Sequence, residues 1–128
     1  MKQSTMDWIE KAEGDWMAAQ QLARARKHPN YDAACFHTQQ CAEKYLKAWL
    51  DHAELVVEKT HHLINLLNRI LPVEPDLLVL ADDLKVLNDY AVSTRYPGMT
   101  ADKTEAKTAI RHCKTVRARV REALGLAA

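Results

Sequence analysis

The sequence predicts an all-α protein, an up-and-down antiparallel bundle of four long helices plus one short helix. Helix-forming residues dominate, and only three of the 128 residues are Gly and four are Pro. Apolar residues recur at intervals of three and four, and no stretch alternates with a period of two for long enough to indicate a strand. Because this length suits one domain, we expect residues 1–128 to form a single helical domain.

The first helix is indicated by an apolar stripe near the N-terminus. Ser4 is its expected N-cap, and His28-Pro29-Asn30 should end it. A second helix is expected over about residues 32–51. The predicted inward face of the first helix consists of Trp8, Ala12, Trp16, Ala19 and Ala23.

Three further helices are separated by short breaks. Thr60 is the expected N-cap of a third helix that runs to Pro72. Pro75 suits the first turn of a fourth helix, which must stop before Pro97 because the residue preceding a proline disfavours the helical region. A fifth helix is expected over about residues 100–124. The predicted core residues of the last two helices are Leu77, Leu80, Ala81, Leu84, Leu87, Ala91, Ala106, Ile110, Cys113, Val116 and Val120.

Charge and cysteine content exclude several classes of protein. The net charge of +1 excludes a polycation that binds nucleic acid by overall charge. The three cysteines have no metal-ligand spacing, so free thiols are expected. No metal site and no cofactor are predicted. The N-terminal segment has no apolar run, so no signal peptide is expected, and the sequence has no run of about 18 apolar residues. These features predict a cytoplasmic protein that does not enter a membrane.

The second helix carries the most informative polar residues. His37, Gln40, Lys44 and Lys47, here called the α2 polar stripe, fall within about a third of the helix circumference at 100° per residue. Two ammonium groups with an imidazole and an amide suit a phosphate or an RNA backbone. The alternative is a solvated helix face on which Glu43 pairs with Lys47 four residues later.

The fifth helix is basic, whereas the segment before it is acidic. Residues 102–122 contain seven basic and three acidic residues, a net charge of +4. Lys103, Lys107, Arg111 and Lys114, here called the α5 basic stripe, follow one another at intervals of four, four and three. Residues 74–89 contain one basic and five acidic residues, a net charge of −4. Either the two helices neutralise each other, or the stripe is a surface for RNA or a protein partner.

Two short polar motifs complete the candidates. His61 and His62 are adjacent, so on a helix their imidazoles diverge by about 100° and a shared metal is disfavoured. Arg95-Tyr96-Pro97 lies at a helix end. Arg95 either pairs with a nearby acid such as Asp89 or presents its guanidinium to a phosphate at the edge of a site or at a dimer seam.

Three motifs in order give the chain a family resemblance. FHTQQCAEKYLKAWL at 36–50 is followed by KTHHLINLL at 59–67 and TRYPG at 94–98. An early W-x-x-x-A-x-x-D-W pattern is formed by Trp8, Ala12, Asp15 and Trp16. Together, from about residue 6 to 122, they resemble the HEPN domain of bacteria and archaea. The F-H-x-x-Q-x-x-E-K string is the most specific part, because it joins unusual polar types at fixed helical spacing.

The resemblance implies a usually dimeric bundle associated with nucleotides or RNA. Stand-alone members are often paired with a small nucleotidyltransferase in arrangements like toxin–antitoxin pairs, which makes a homodimer and such a partner the expected assembly. The second and fourth helices are expected near the dimer seam, with the α2 polar stripe close to Arg95 of the partner subunit and Phe36 bordering the interface. The residues that the motifs single out are His37, Gln40, Glu43, Lys44, His61, Arg95 and Tyr96.

An alternative implied by the family is a metal-independent endoribonuclease. RNase-active members carry an Arg followed, after four to six intervening residues, by a His, and no Arg of this sequence is so placed. His37 or His61 as acid–base with Arg95 as phosphate clamp is the catalytic set that this alternative requires. A third possibility is a non-catalytic protein-interaction bundle. Nucleotide or RNA binding would use His37, Gln40, Lys44, Lys47, Arg95 and Tyr96.

Overall fold

The computed structural model of the protein describes residues 1–91 and 97–128, so the expected sites at Arg95 and Tyr96 lie outside the described residues. The prediction of an all-α fold is confirmed, since every regular element in these two ranges is helical. Five α-helices follow one another along the chain. They are α1 (Gln3–Arg24), α2 (Tyr31–His52), α3 (Leu63–Ile70), α4 (Ala81–Asn88) and α5 (Lys103–Ala123).

The helix lengths differ from the expected ones. Three helices have 22, 22 and 21 residues, whereas α3 and α4 have 8 each. The fourth helix does not begin at Pro75 as an α-helix, because Pro75–Leu80 is a 3-10 helix, and a second 3-10 turn, Asp89–Ala91, follows α4. In a 3-10 helix residues three apart lie one above the other. This geometry allows both Leu77 and Leu80 to be buried.

Helix α2 lies at the centre of the bundle and runs antiparallel to α1. The hydroxyl of Thr5, near the start of α1, donates a hydrogen bond of 2.6 Å to Asp51, near the end of α2. Between Cys41 and Leu50 every residue of α2 except Lys44 is buried. A helix that is buried on all sides is characteristic of an interior position.

Helix α5 runs in the same direction as α2. The Asp32 carboxylate at the start of α2 accepts a hydrogen bond of 2.5 Å from the backbone N–H of Ala101, just before α5. Near the other end, Arg121 donates to the Tyr45 hydroxyl at 3.0 Å. Helices α3 and α4 close the remaining side, where the Asn88 side chain accepts the first N–H of α3 at 2.7 Å.

Two of the expected N-caps are wrong. The N-cap of α1 is Lys2, and the Ser4 hydroxyl instead donates to Asp51 at 2.8 Å. The N-cap of α3 is His62, whose Nδ1 accepts the N–H three residues later. The Thr60 hydroxyl accepts a hydrogen bond of 3.1 Å from the His62 N–H, so it precedes the cap rather than forming it.

The core is apolar, with the predicted free cysteines inside it. Cys35, Cys41 and Cys113 are buried and unpaired by disulfides, as expected. Burial raises the pKa of the Cys35 thiol to about 12 and also raises the pKa of Cys41. Of the predicted core positions, Trp8, Ala23, Ala81 and Ile110 are only partly buried. Within the two described ranges, none of the helices combines the length and the apolar character that a membrane crossing requires.

Candidate functional site

The α2 polar stripe does not lie on a solvated helix face. His37 and Lys44 contact α1, and the Lys47 side chain is only 7% exposed. Two carboxylates, Asp15 of α1 and Glu43 of α2, organise the basic groups of the stripe and of the segment that leads into α3. The solvated-face alternative is therefore wrong, although the Glu43–Lys47 pair that it included is present.

Asp15 holds the N-terminal half of the stripe. Its Oδ1 lies 2.8 Å from His37 Nδ1 and its Oδ2 lies 2.6 Å from Lys44 Nζ. Asp15 is buried because it occupies the same α1 face as Trp16 and Ala19. A buried carboxylate requires partners that restore what it loses on leaving water. The two contacts supply them and join α1 to α2.

Glu43 holds the other half and is the most deeply buried acid of the site. Its side chain is 4% exposed, with Oε2 3.1 Å from Lys47 Nζ and Oε1 2.9 Å from His61 Nδ1. The Gln39 amide donates to Glu43 Oε1 at 3.4 Å and to the His61 carbonyl at 2.9 Å. The Lys47 ammonium also lies 5.7 Å from the Trp8 ring centre. Charge and hydrogen bonds of Glu43 are thus satisfied within the fold.

His61 and His37 are carboxylate-oriented imidazoles. A carboxylate can only accept hydrogen bonds, so Nδ1 of each ring carries the proton and Nε2 is the nitrogen left unused by Asp15 or Glu43. The His61 side chain is 70% exposed and that of His37 is 31% exposed. Such pairs fix the tautomer of the ring. They leave Nε2 able to accept a proton, or a hydrogen bond from a donor group of a ligand.

The structure brings some of the predicted residues together and leaves others apart. The Gln40 amide donates to Gln39 Oε1 at 2.7 Å, which connects it to the Glu43 set. Arg95 and Tyr96 are outside the described residues, so a phosphate clamp by Arg95 stays a prediction. Across residues 1–91 and 97–128, no group of three or more His, Cys, Asp and Glu side chains is placed to hold a metal ion.

The cations of α5 divide into a paired and an unpaired set. Arg117 donates to Glu13 Oε2 at 2.7 Å, and Arg121 lies 3.7 Å from Glu13 Oε1. Burial raises the pKa of Glu13, but hydrogen bonds from Arg117 and Tyr45 outweigh it and hold the pKa below its usual value. By contrast, no ion pair with another described residue involves the α5 basic stripe, whose members Lys103, Lys107, Arg111 and Lys114 are all exposed.

Helices α4 and α5 therefore do not neutralise each other as the sequence allowed. The ionic contact that joins them in the described parts of the chain is between Asp83 Oδ1 and His112 Nδ1, at 2.7 Å. His112 lies on the opposite side of α5 from the α5 basic stripe, about 100° or more away. The acidic segment thus leaves the stripe without a carboxylate partner among the described residues.

The sequence motifs do not single out two important residues of the site. Asp15 belongs to the early W-x-x-x-A-x-x-D-W motif, and it falls on an apolar helix stripe, a position where a carboxylate indicates buried partners. Gln39 is fully buried, so it too is a polar residue that needs buried partners. A polar residue at a core-facing position was the signal available for both.

Comparison with known proteins places the chain in a family. Residues 5–123 match the HEPN domain family. TT1696 from Thermus thermophilus is 30% identical, with a TM-score of 0.79 over 94% of this chain and 98% of that one. ST0689, an archaeal HEPN homologue, is 23% identical, with a TM-score of 0.74 over 97% of this chain and 99% of that one. No curated protein matches. The chain belongs to the HEPN domain family.

Proposed function

We propose that this protein is a nucleotide- or RNA-associated HEPN partner module that acts with a small nucleotidyltransferase in a toxin–antitoxin-like pair. The observation that carries the proposal is a set of three basic groups, two imidazoles and one ammonium, held by one buried carboxylate of α1 and one of α2. These groups belong to His37, Lys44 and His61, and all three side chains are accessible in part. Membership of a family generally associated with nucleotides and RNA supports the same conclusion.

Because Lys47 is buried, the members of the α2 polar stripe have two different roles, one structural and one in ligand contact. A side chain with 7% exposure that is bonded to Glu43 serves to orient Glu43 rather than to meet a ligand. The ligand contacts fall to His37, Gln40 and Lys44, whose side chains are less buried. A phosphate that approached Lys44 would compete with Asp15 for the ammonium, so moderate affinity is expected.

Nucleotide binding tests this assignment. Titration of the protein with ATP, GTP and short RNA should give binding that weakens about tenfold in His37→Ala and Gln40→Ala. A tenfold change corresponds to about 1.4 kcal/mol, the size of one hydrogen bond to a charged group. Lys85→Ala is the matched control, because Lys85 is an exposed cation on α4. Folded variants that bind as the parent does would contradict the assignment.

Assembly with a partner tests the rest of the proposal. Co-expression with a nucleotidyltransferase from the gene neighbourhood should yield a complex that survives purification. Alone, the protein should sediment at about twice the 14.6 kDa monomer mass. A dimer also brings two copies of Lys44 together, which suits a polyanionic ligand. If the protein sediments as a monomer, Arg95 of one subunit cannot meet the α2 polar stripe of another, and that expectation fails.

A second candidate function is a metal-independent endoribonuclease, and the His61–Glu43 pair favours it. An exposed imidazole held at 2.9 Å by a buried carboxylate has the geometry of a general base. Arg95 would have to supply the cation that stabilises the phosphate in the transition state. Purified protein should then cleave structured RNA in the presence of a chelator, and His61→Ala should abolish cleavage while His52→Ala, at an exposed histidine of α2, should not.

A further inference from the structure

The α5 basic stripe is arranged as a linear array of charge. At 100° per residue, Lys103, Lys107, Arg111 and Lys114 fall within about 80° of the helix circumference. The first and the last are eleven positions apart in the sequence, which is about 16 Å along the axis. The acids of the same helix, Glu105 and Glu122, lie outside this sector. The stripe is therefore a rigid row of one sign.

Keeping this row has a cost for the fold. Like charges three or four residues apart destabilise a helix, and Lys103 lies in the first turn, where the helix dipole disfavours a cation. No carboxylate among the described residues forms an ion pair with the stripe to offset that repulsion. Arg117 and Arg121 on the same helix do have such a partner in Glu13. The stripe thus differs from the cations that stabilise the bundle.

The chemistry around the stripe favours nucleic acid over a protein partner. Protein interfaces are built around buried aromatic or aliphatic anchors. None of the large apolar side chains that are exposed in the described residues belongs to α5. The neighbours of the stripe on this side of α5 are Thr104, Ile110, Thr115, Ala118 and Glu122, none of which offers an aromatic ring for stacking on a base. Contacts would therefore be made to phosphates rather than to bases.

We propose that the α5 basic stripe binds the phosphodiester backbone of RNA without sequence preference. At about 3.4 Å of axis per phosphate in a helical strand, a row of about 16 Å follows about five phosphates. The inference rests on the proposed association with RNA, and it adds a second surface that is separate from the α2 polar stripe. RNA held along α5 would be guided by charge, whereas His37, Lys44 and His61 would make the directional contacts.

The test compares two variants with the same change in net charge. The stripe variant carries Lys103→Gln, Lys107→Gln, Arg111→Gln and Lys114→Gln. The control carries Lys11→Gln, Lys27→Gln, Lys59→Gln and Lys85→Gln, all at exposed positions. Anisotropy of a labelled RNA hairpin in chelator, followed between 50 and 200 mM KCl, gives the affinity and its salt dependence.

We expect the stripe variant to bind at least tenfold more weakly than the control at the same salt concentration. Its slope of log K against log[salt] should fall by about 3, since each phosphate contact contributes roughly 0.7 to 0.9. Its melting temperature should equal or exceed that of the parent, because the substitutions remove like-charge repulsion. A randomised hairpin should bind equally well.

Five outcomes would overturn the inference. Equal weakening in the two variants would show a general effect of charge, and a stripe variant that melts below the parent would show that the cations stabilise the bundle. A stripe variant that loses only a protein partner would make the stripe a protein interface. If the parent binds the hairpin and the stripe variant binds it equally, the inference fails while the proposed function stands. If the parent does not bind, both fail for RNA.

Discussion

Removal of the Glu43 charge is the perturbation that best probes the α2 polar stripe. The Glu43→Gln substitution preserves the shape of the side chain but leaves the Lys47 ammonium, 7% exposed, without a counter-charge. The amide has one oxygen in place of two, so it cannot accept from both Lys47 and His61 as the carboxylate does at 3.1 and 2.9 Å. Its NH₂ group would instead face one of these donors.

The size of the effect follows from these contacts. Breaking a buried ion pair by removing one partner typically costs about 3–5 kcal/mol, and the amide oxygen that remains recovers part of this through one hydrogen bond. We therefore expect the free energy of unfolding to fall by about 3 kcal/mol. For a domain of this size that lowers the melting temperature by roughly 10 °C. Urea denaturation followed by far-UV circular dichroism gives the measurement.

The Glu58–Arg69 pair provides a matched control on the surface. Glu58 is 45% exposed, and exposed pairs contribute less than about 1 kcal/mol. Glu58→Gln should therefore change stability little. The double variant Glu43→Gln/Lys47→Met should recover much of the loss, because it removes the stranded ammonium. Equal effects of Glu43→Gln and Glu58→Gln would refute the claim that Glu43 organises a buried site.

Three further outcomes are expected. Because the pKa of Glu13 lies below its usual value, its bonds to Arg117 and Tyr45 add stability above the unfolded pKa that is lost as pH falls through the folded pKa. Glu13→Gln should flatten that acid limb in urea melts between pH 6 and 3. The Cys35 thiol, with a pKa raised to about 12 by burial, should react with Ellman's reagent at pH 8 only after denaturation. Asn88→Ala should cost about 1–2 kcal/mol in urea unfolding, since it leaves the first N–H of α3 unpaired.

Apolar periodicity predicted most of the fold because it reports directly on which face of a helix is buried. Leu84 and Leu87, for example, lie in the core as their spacing indicated. The same spacing did not reveal that Pro75–Leu80 is a 3-10 helix, since intervals of three fit both kinds of helix. Cap positions were less predictable, as Ser4 shows, because its hydroxyl found a tertiary partner in Asp51 rather than a local N–H.

The sequence predicted which residues of α2 share the candidate site, but it did not predict the residues from other parts of the fold that contact them. Helical spacing placed His37 and Lys44 on one sector of α2, and they do share one partner. That partner, Asp15, comes from another helix, and contacts between helices depend on packing that a single sequence does not encode locally. His61 lies in the segment between α2 and α3, and the packing of that segment against α2 brings its ring to Glu43.

The two stripes differ in how far their cations are paired with carboxylates. In the α2 polar stripe, buried carboxylates hold each cation, so the groups are well positioned but carry little net field into solvent. In the α5 basic stripe, the cations face solvent without an ion-pair partner among the described residues, so their field extends outward but fixes no geometry. Attraction of a polyanion needs the second arrangement, whereas oriented contact with one phosphate needs the first. Substitutions in α5 should therefore change the salt dependence of RNA binding, and substitutions at His37 or His61 should change its selectivity among ligands.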